Sequence, residues 1–129
     1  MNSAPKPPIG SIGWCDLTVD GADAVRDFYR DVVGWADTAC DMGGYSDYVM
    51  SQPANGAATT GVCWARGPNA GLPPVWLVYF VVASLETSLT GVRKRGGIVL
   101  REPRASGDGR FAVIRDPAGA VCALYEAES

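Results

Sequence analysis

The feature that most constrains this chain is an internal offset of 63 residues. Trp14 and Leu77 stand 63 positions apart, and so do Leu17 and Phe80, and Gly34 and Gly97. The first two pairs lie in strand-like runs, and the third lies where a helix-like run stops. In the first half, residues 12–19 alternate, with Trp14, Asp16 and Thr18 on one face and Cys15, Leu17 and Val19 on the other. Asp20 and Gly21 break this run. Residues 22–33 then place Val25, Phe28, Tyr29, Val32 and Val33 at helical spacing, with Arg26, Asp27, Arg30 and Asp31 on a wet face. Asp20 is the expected N-cap and Gly34 the expected stop. Three strands are expected at about 35–41, 45–51 and 57–65, broken at Gly43 and Gly44 and at residues 53–56.

A loop at 66–74 separates this from a second run of the same order. Residues 76–82 read as a strand, and 85–95 as a helix with Leu85, Leu89 and Val92 on one face, ended by Gly96 and Gly97. Strands follow at 98–101, 110–115 and 121–125, with a tight turn at 116–119 joining the last two. The expected class is α+β, with two βαβββ modules forming curved mixed sheets around a concave pocket. The modules span about 10–66 and 74–127 within a single domain, 10–129, after a flexible tail at 1–9. Each helix covers one sheet face, and the other face, which carries Trp14 and Asp16, lines the concavity.

Composition narrows the function. A chain of 129 residues can bury a real core, and 47% apolar with 19% charged residues excludes a disordered chain. The net charge is −3, with no basic patch, so no nucleic-acid partner is expected. The longest apolar run, 75–83, is about half the length that spans a bilayer, so no membrane partner is expected. The N-terminal residues carry no hydrophobic segment of a secretion signal. Cys15, Cys40, Cys63 and Cys122 form no C-x-x-C pair, which reads as buried, reduced thiols in a cytoplasmic protein. The chain has no histidine, which excludes a histidine general base, nucleophile relay or metal cage.

Four stretches, in order and with their spacing, carry a family resemblance. They are WCDLTVD (14–20), DFYRDVVGW (27–35), VWLVYFVV (75–82) and GRFAVIRDPAG (109–119). The chain resembles the vicinal oxygen chelate superfamily, which includes glyoxalase I, extradiol dioxygenases and bleomycin-resistance proteins. Enzymes of that superfamily usually hold a divalent metal with His and Glu at fixed strand positions. Carried over, those positions fall on Trp14, on Leu77, on Ala123 and near residues 59–61. An indole, an isobutyl and a methyl group donate no lone pair to Zn²⁺, Fe²⁺ or Mn²⁺. The resemblance therefore implies a member without the metal ligands, and no cofactor is expected.

With those positions facing inward, the ligand-binding candidates are Trp14, Leu77, Tyr79, Phe111, Val113, Ala123 and Tyr125, with Asp16 one pleat beyond Trp14. This mixture suits a planar or hydrophobic organic ligand, unless the aromatic side chains simply fill the barrel. Asp16 has three readings: an acceptor for a ligand hydroxyl or amine, a general base, or a structural hydrogen-bond acceptor. Cys63 reaches the same face but has no histidine to activate it, whereas Cys122 faces the helix. Trp35 and Trp64 read as packing or interface residues. Arg101, Arg104 and Arg110 read as solvated, with Arg110 able to cap an anionic ligand at the rim.

Two functions follow. The first is metal-independent binding of a small aromatic or hydrophobic molecule, above all antibiotic sequestration by a homodimer, with the acidic net charge favouring cationic or hydrogen-bonding drugs. The alternative is a metal-free enzyme (a proton-transfer isomerase, cyclase or lyase), with Asp16 as the catalytic base and Tyr79 or Tyr125 as the polarising donor.

Overall fold

The computed structural model describes residues 6–127. The order is β1 (Ile12–Val19), α1 (Ala22–Val33), β2 (Ala36–Asp41), β3 (Ser46–Ser51) and β4 (Ala58–Trp64), then β5 (Trp76–Val81), α2 (Leu85–Lys94), β6 (Ile98–Ser106), β7 (Gly109–Arg115) and β8 (Val121–Ala127). The pattern β-α-β-β-β thus occurs twice, and the class is α+β. Of the expected tail, residues 1–5 lie outside the described residues. The chain groups into two compact units. One is Trp14–Trp76, and the other joins the segment up to Gly13 to the chain from Leu77 onward. The division differs from the one expected near 66–74 because Gly10 N–H donates to the Val81 carbonyl (2.8 Å) and Val81 N–H donates to the Ser11 carbonyl (2.9 Å).

In the Trp14–Trp76 unit the strands lie in the order β2-β3-β4-β1. β1 runs parallel to β4, with Asp16 opposite Gly61 and Thr18 opposite Cys63. Ala22, Met50 and Val62 form the core under α1, joined by Val25, Tyr48, Trp35, Trp64 and Trp76. Burying a side chain such as Met50 in full contributes about 1.5–3 kcal/mol. The packing face of α1 differs from the one read from its sequence. Phe28, Val32 and Val33 are 56%, 64% and 51% exposed, while Ala22 is fully buried. Tyr29 turns instead toward Trp35 and Trp76, with ring centroids at 5.9 and 5.1 Å. The N-cap of α1 is Gly21 rather than Asp20, with no side-chain cap, and Gly34 ends the helix at φ 88 as expected.

The second unit repeats the arrangement as β5-β8-β7-β6, with β5 parallel to β8 and Tyr79 opposite Ala123. Leu85 and Leu89 of α2 pack on Ala112, Ile114 and Leu124. Ser84 caps α2, its hydroxyl accepting from Thr87 N–H at 3.2 Å. The β7–β8 hairpin forms as read: Asp116 Oδ1 accepts from Ala118 and Ala120 N–H at 2.8 and 2.9 Å. β6 runs five residues beyond the expected Arg101, to Ser106.

Candidate functional site

Strand parity and register decide which side chains each unit presents on the sheet face away from its helix. In the Trp14–Trp76 unit, Val62 lies in the core under α1, so its strand neighbours Gly61 and Cys63 point the other way. Their partners Asp16 and Thr18 share that face, and so does Trp14 by alternation. Gly61 makes the geometry possible. A methyl group at Gly61 would sit 3.2 Å from Asp16 Cβ, 3.6 Å from Cys63 Sγ and 3.7 Å from Trp14 Cζ2. The bare backbone thus gives the indole and the carboxylate a bed to lie on. Trp14, Asp16 and Cys63 are half-buried, and Oδ1 of Asp16 is buried from solvent.

Burial raises the Cys63 thiol far above its ordinary value, and the negative charges of Asp16 and Asp47 add to this. Cys63 is therefore a neutral thiol that can pack or donate weakly, not a nucleophile. Cys15, on the opposite face, is also raised, first by burial. All four cysteines are unbridged and half-buried, where the sequence implied buried ones.

In the second unit, Phe111 stands opposite Tyr125, and Val113 opposite Ala123. With Leu77 and Tyr79 of β5, these six expected positions share the face away from α2. Phe111, Val113, Leu77 and Ala123 are buried, whereas Tyr79 and Tyr125 are half-buried. The Tyr79 and Phe111 rings lie 5.3 Å apart, tilted by 51°. Gly109 does for Tyr125 what Gly61 does for Trp14: a methyl group there would come within 2.7 Å of Tyr125 Cζ and Oη. Cys122 packs against the α2 side, as its parity requires.

The arginines differ from their reading as solvated groups. Arg110 pairs with Glu86 (2.8 Å) and approaches Glu126 (3.7 Å), whose carboxylate accepts from Leu85 N–H at the start of α2. It belongs to the helix side, so it does not cap a ligand on the Phe111 face. Arg101 and Arg104 are half-buried and stand opposite Val113 and Phe111, on the aromatic face. The Arg104 guanidinium lies 4.8 Å from the Phe111 ring centroid. Trp35 and Trp64 pack around the α1 core, the first of the two roles the sequence left open.

The fold family implies a metal, and the donor set tests whether one fits. Trp14 and Leu77 lie near the starts of the equivalent strands β1 and β5, and Gly61 and Ala123 are the β4 and β8 partners of the equivalent residues Asp16 and Tyr79. None of these four side chains offers a donor. Among the described residues, no three His, Cys, Asp or Glu side chains converge to hold a metal ion. The described residues at these positions do not fit a divalent metal. Among the described residues, no helix is long and apolar enough to cross a membrane.

Two βαβββ units with a parallel first-to-last strand pair define the class. Residues 11–124 match the Glyoxalase/Bleomycin resistance protein/Dioxygenase superfamily, and the chain belongs to it. It is 32% identical over 120 residues to the anthracycline biosynthesis protein DnrV of Streptomyces peucetius, covering 91% of this chain and 42% of that protein. It is also 32% identical over 118 residues to the putative glyoxylase CFP32 of Mycobacterium bovis, covering 91% of this chain and 44% of that one. The chain thus spans less than half the length of these curated relatives. Among solved structures, the methylmalonyl-CoA epimerase of Mycobacterium tuberculosis aligns over 98% of this chain and 94% of its own, with a TM-score of 0.55 and 16% identity. The hypothetical protein BH1468 of Bacillus halodurans aligns over 92% and 95%, with a TM-score of 0.58 and 14% identity. These structural likenesses establish the fold.

Proposed function

We propose that this chain binds a small planar or hydrophobic organic molecule without a metal ion, and that its use is the sequestration of an antibiotic. One observation carries this reading: Trp14, Leu77 and Ala123, the positions to which the resemblance carries the metal ligands, lie on sheet faces that also present Tyr79, Phe111 and Tyr125. Stacking on flat rings takes the place of chelation. Ligand contacts are assigned to Trp14, Asp16 and Cys63 in one unit and to Leu77, Tyr79, Phe111, Val113, Ala123 and Tyr125 in the other. Titration of the protein with a panel of planar antibiotics, followed by tryptophan quenching and calorimetry, tests the reading. Trp14→Ala and Phe111→Ala should each weaken the best binder by about tenfold or more. Binding at full strength by Trp14→Ala, or stoichiometric metal in the purified protein, would overturn it.

A metal-free enzyme is the second reading, favoured by the buried Oδ1 of Asp16 and by a relative named for biosynthesis. In it Asp16 moves a proton and Tyr79 or Tyr125 polarises the substrate. Asp16→Asn separates the two: it abolishes turnover with little loss of affinity in an enzyme, and weakens binding in a sequestering protein. A homodimer is part of the proposal, supported by the exposed Phe28, Val32 and Val33 on α1. Sedimentation of Val32→Asp should then show a lighter species than wild type. A cytoplasmic location is supported by the four unbridged cysteines.

A further inference from the structure

The net charge of −3 favours a cationic ligand without saying where a cation would sit. A cavity of the Trp14–Trp76 unit, at the C-terminal end of β1, supplies a place of about 230 Å³. It is lined by Thr18 and Val19 of β1, Asp20 of the turn into α1, Ala65 after β4, and Leu72 and Pro74 of the following loop. The bond from Ala65 N–H to the Val19 carbonyl (2.9 Å) ties two of these walls together, and Pro74 stiffens a third. Drug-sized sites run from about 300 to 1,000 Å³, so this one takes a single ring or a short chain. Two of its polar groups have no work inside the protein. Asp20 is the expected cap of α1, yet Gly21 stands at the N-cap and the helix has no side-chain cap. Among the described residues, the Asp20 carboxylate makes no hydrogen bond or ion pair. Thr18 is only 7% exposed, and its hydroxyl likewise has no partner there. A buried hydroxyl without a partner costs stability, so a ligand that bonds it gains. Among the described residues, no basic side chain lines the cavity, and Arg66, next to Ala65, is held over the Tyr45 ring at 4.0 Å.

We propose that this cavity binds a small aliphatic amino alcohol, with Asp20 accepting from its ammonium group and Thr18 bonding its hydroxyl. The division follows from burial. Asp20 is exposed and can meet a cation that keeps part of its water, whereas a charge brought to the buried Thr18 would lose it. A neutral hydroxyl suits Thr18, whose own hydroxyl both donates and accepts. Val19, Ala65, Leu72 and Pro74 hold the carbon frame between the two polar groups. The site is independent of the planar-binding reading and adds a second ligand position to the chain.

Titration of the isotope-labelled full chain with trans-4-aminocyclohexanol, cyclohexylamine and trans-1,4-cyclohexanediol tests this with one ring and three sets of polar groups. Amide NMR shifts at low ionic strength report both affinity and place, and they should centre on Thr18, Val19, Asp20, Ala65 and Leu72. Wild type should bind the amino alcohol about fivefold more tightly than either probe that lacks one of its groups. Asp20→Asn should erase the advantage over the diol, and Thr18→Val the advantage over cyclohexylamine. Asp31→Asn removes the same charge from the wet face of α1, outside the cavity, and should change neither. Circular dichroism of each variant confirms the fold. Equal affinity for amino alcohol and diol in wild type, or either advantage surviving its variant, overturns the assignment. So do shifts centred elsewhere, or no shifts with any of the three probes. None of these results bears on the binding of planar molecules at Trp14 or Phe111.

Discussion

Adding one methyl group at two glycines should move stability in opposite directions. At Gly109, the first residue of β7, an alanine Cβ would run into the carbonyl oxygen of Glu126 on β8 and come within 2.7 Å of Tyr125 Cζ and Oη. A long side chain could swing aside, but a carbonyl in a paired strand cannot, so β7 and β8 must separate locally or the register must give. Overpacking of this kind typically costs about 1–3 kcal/mol, and the rigid obstacle places Gly109→Ala near the top of that range. Gly91 sits inside α2 with open space where a Cβ would go. There the same methyl group should stabilise by about 0.5–1 kcal/mol, because alanine loses less backbone freedom in a helix. Urea unfolding followed through the four tryptophans measures both. With a slope of roughly 1–3 kcal/mol per molar, the midpoint should fall by about 1–2 M for Gly109→Ala and rise by a few tenths for Gly91→Ala. A Gly109→Ala midpoint within about 0.3 M of wild type would refute the close β7–β8 approach, and with it the placement of Tyr125 on the Phe111 face.

Two further effects follow from named contacts. Ser84→Ala removes the acceptor for Thr87 N–H at the start of α2 and should cost about 1 kcal/mol, read as a lower melting temperature that Ser84→Asp restores. Burial is the first cause raising Cys15, Cys63 and Cys122 above their ordinary values. Their contribution to stability is therefore full below the unfolded thiol pKa, near about 8.5, and is lost as pH rises beyond it, because the unfolded chain ionises first. The urea midpoint should decline between pH 8 and pH 10, and Cys63→Ala should flatten that decline; an unchanged slope would refute the burial of this thiol.

The repeated architecture was legible because it rests on patterns that local chemistry dictates. Alternation in residues 12–19, the stop at Gly34 and the turn around Asp116 each correspond to a structure the backbone adopts. Parity also put Asp16 and Cys63 on one face, and Phe111, Val113 and Ala123 on another, since the β1–β4 and β7–β8 pairings keep their register. The face of α1 was not legible. Its apolar residues form one broad stripe, and periodicity names that stripe without saying which edge meets the core. Ala22, the smallest of the apolar residues, takes the close contact, and Phe28 and Val32 are left in solvent.

The arginine pair escaped the sequence for a different reason. Residues 101–104 are Arg, Glu, Pro and Arg, which read as a loop because proline removes a ladder donor and charges dislike a sheet interior. β6 is the outer strand of its unit, where both are tolerated, and Glu102 turns out to meet Arg93 at 3.1 Å. Even a correct strand assignment would have separated Arg101 from Arg104 by parity. Only the register shifts bring them together, and a shift is a property of the pairing between two strands rather than of either sequence.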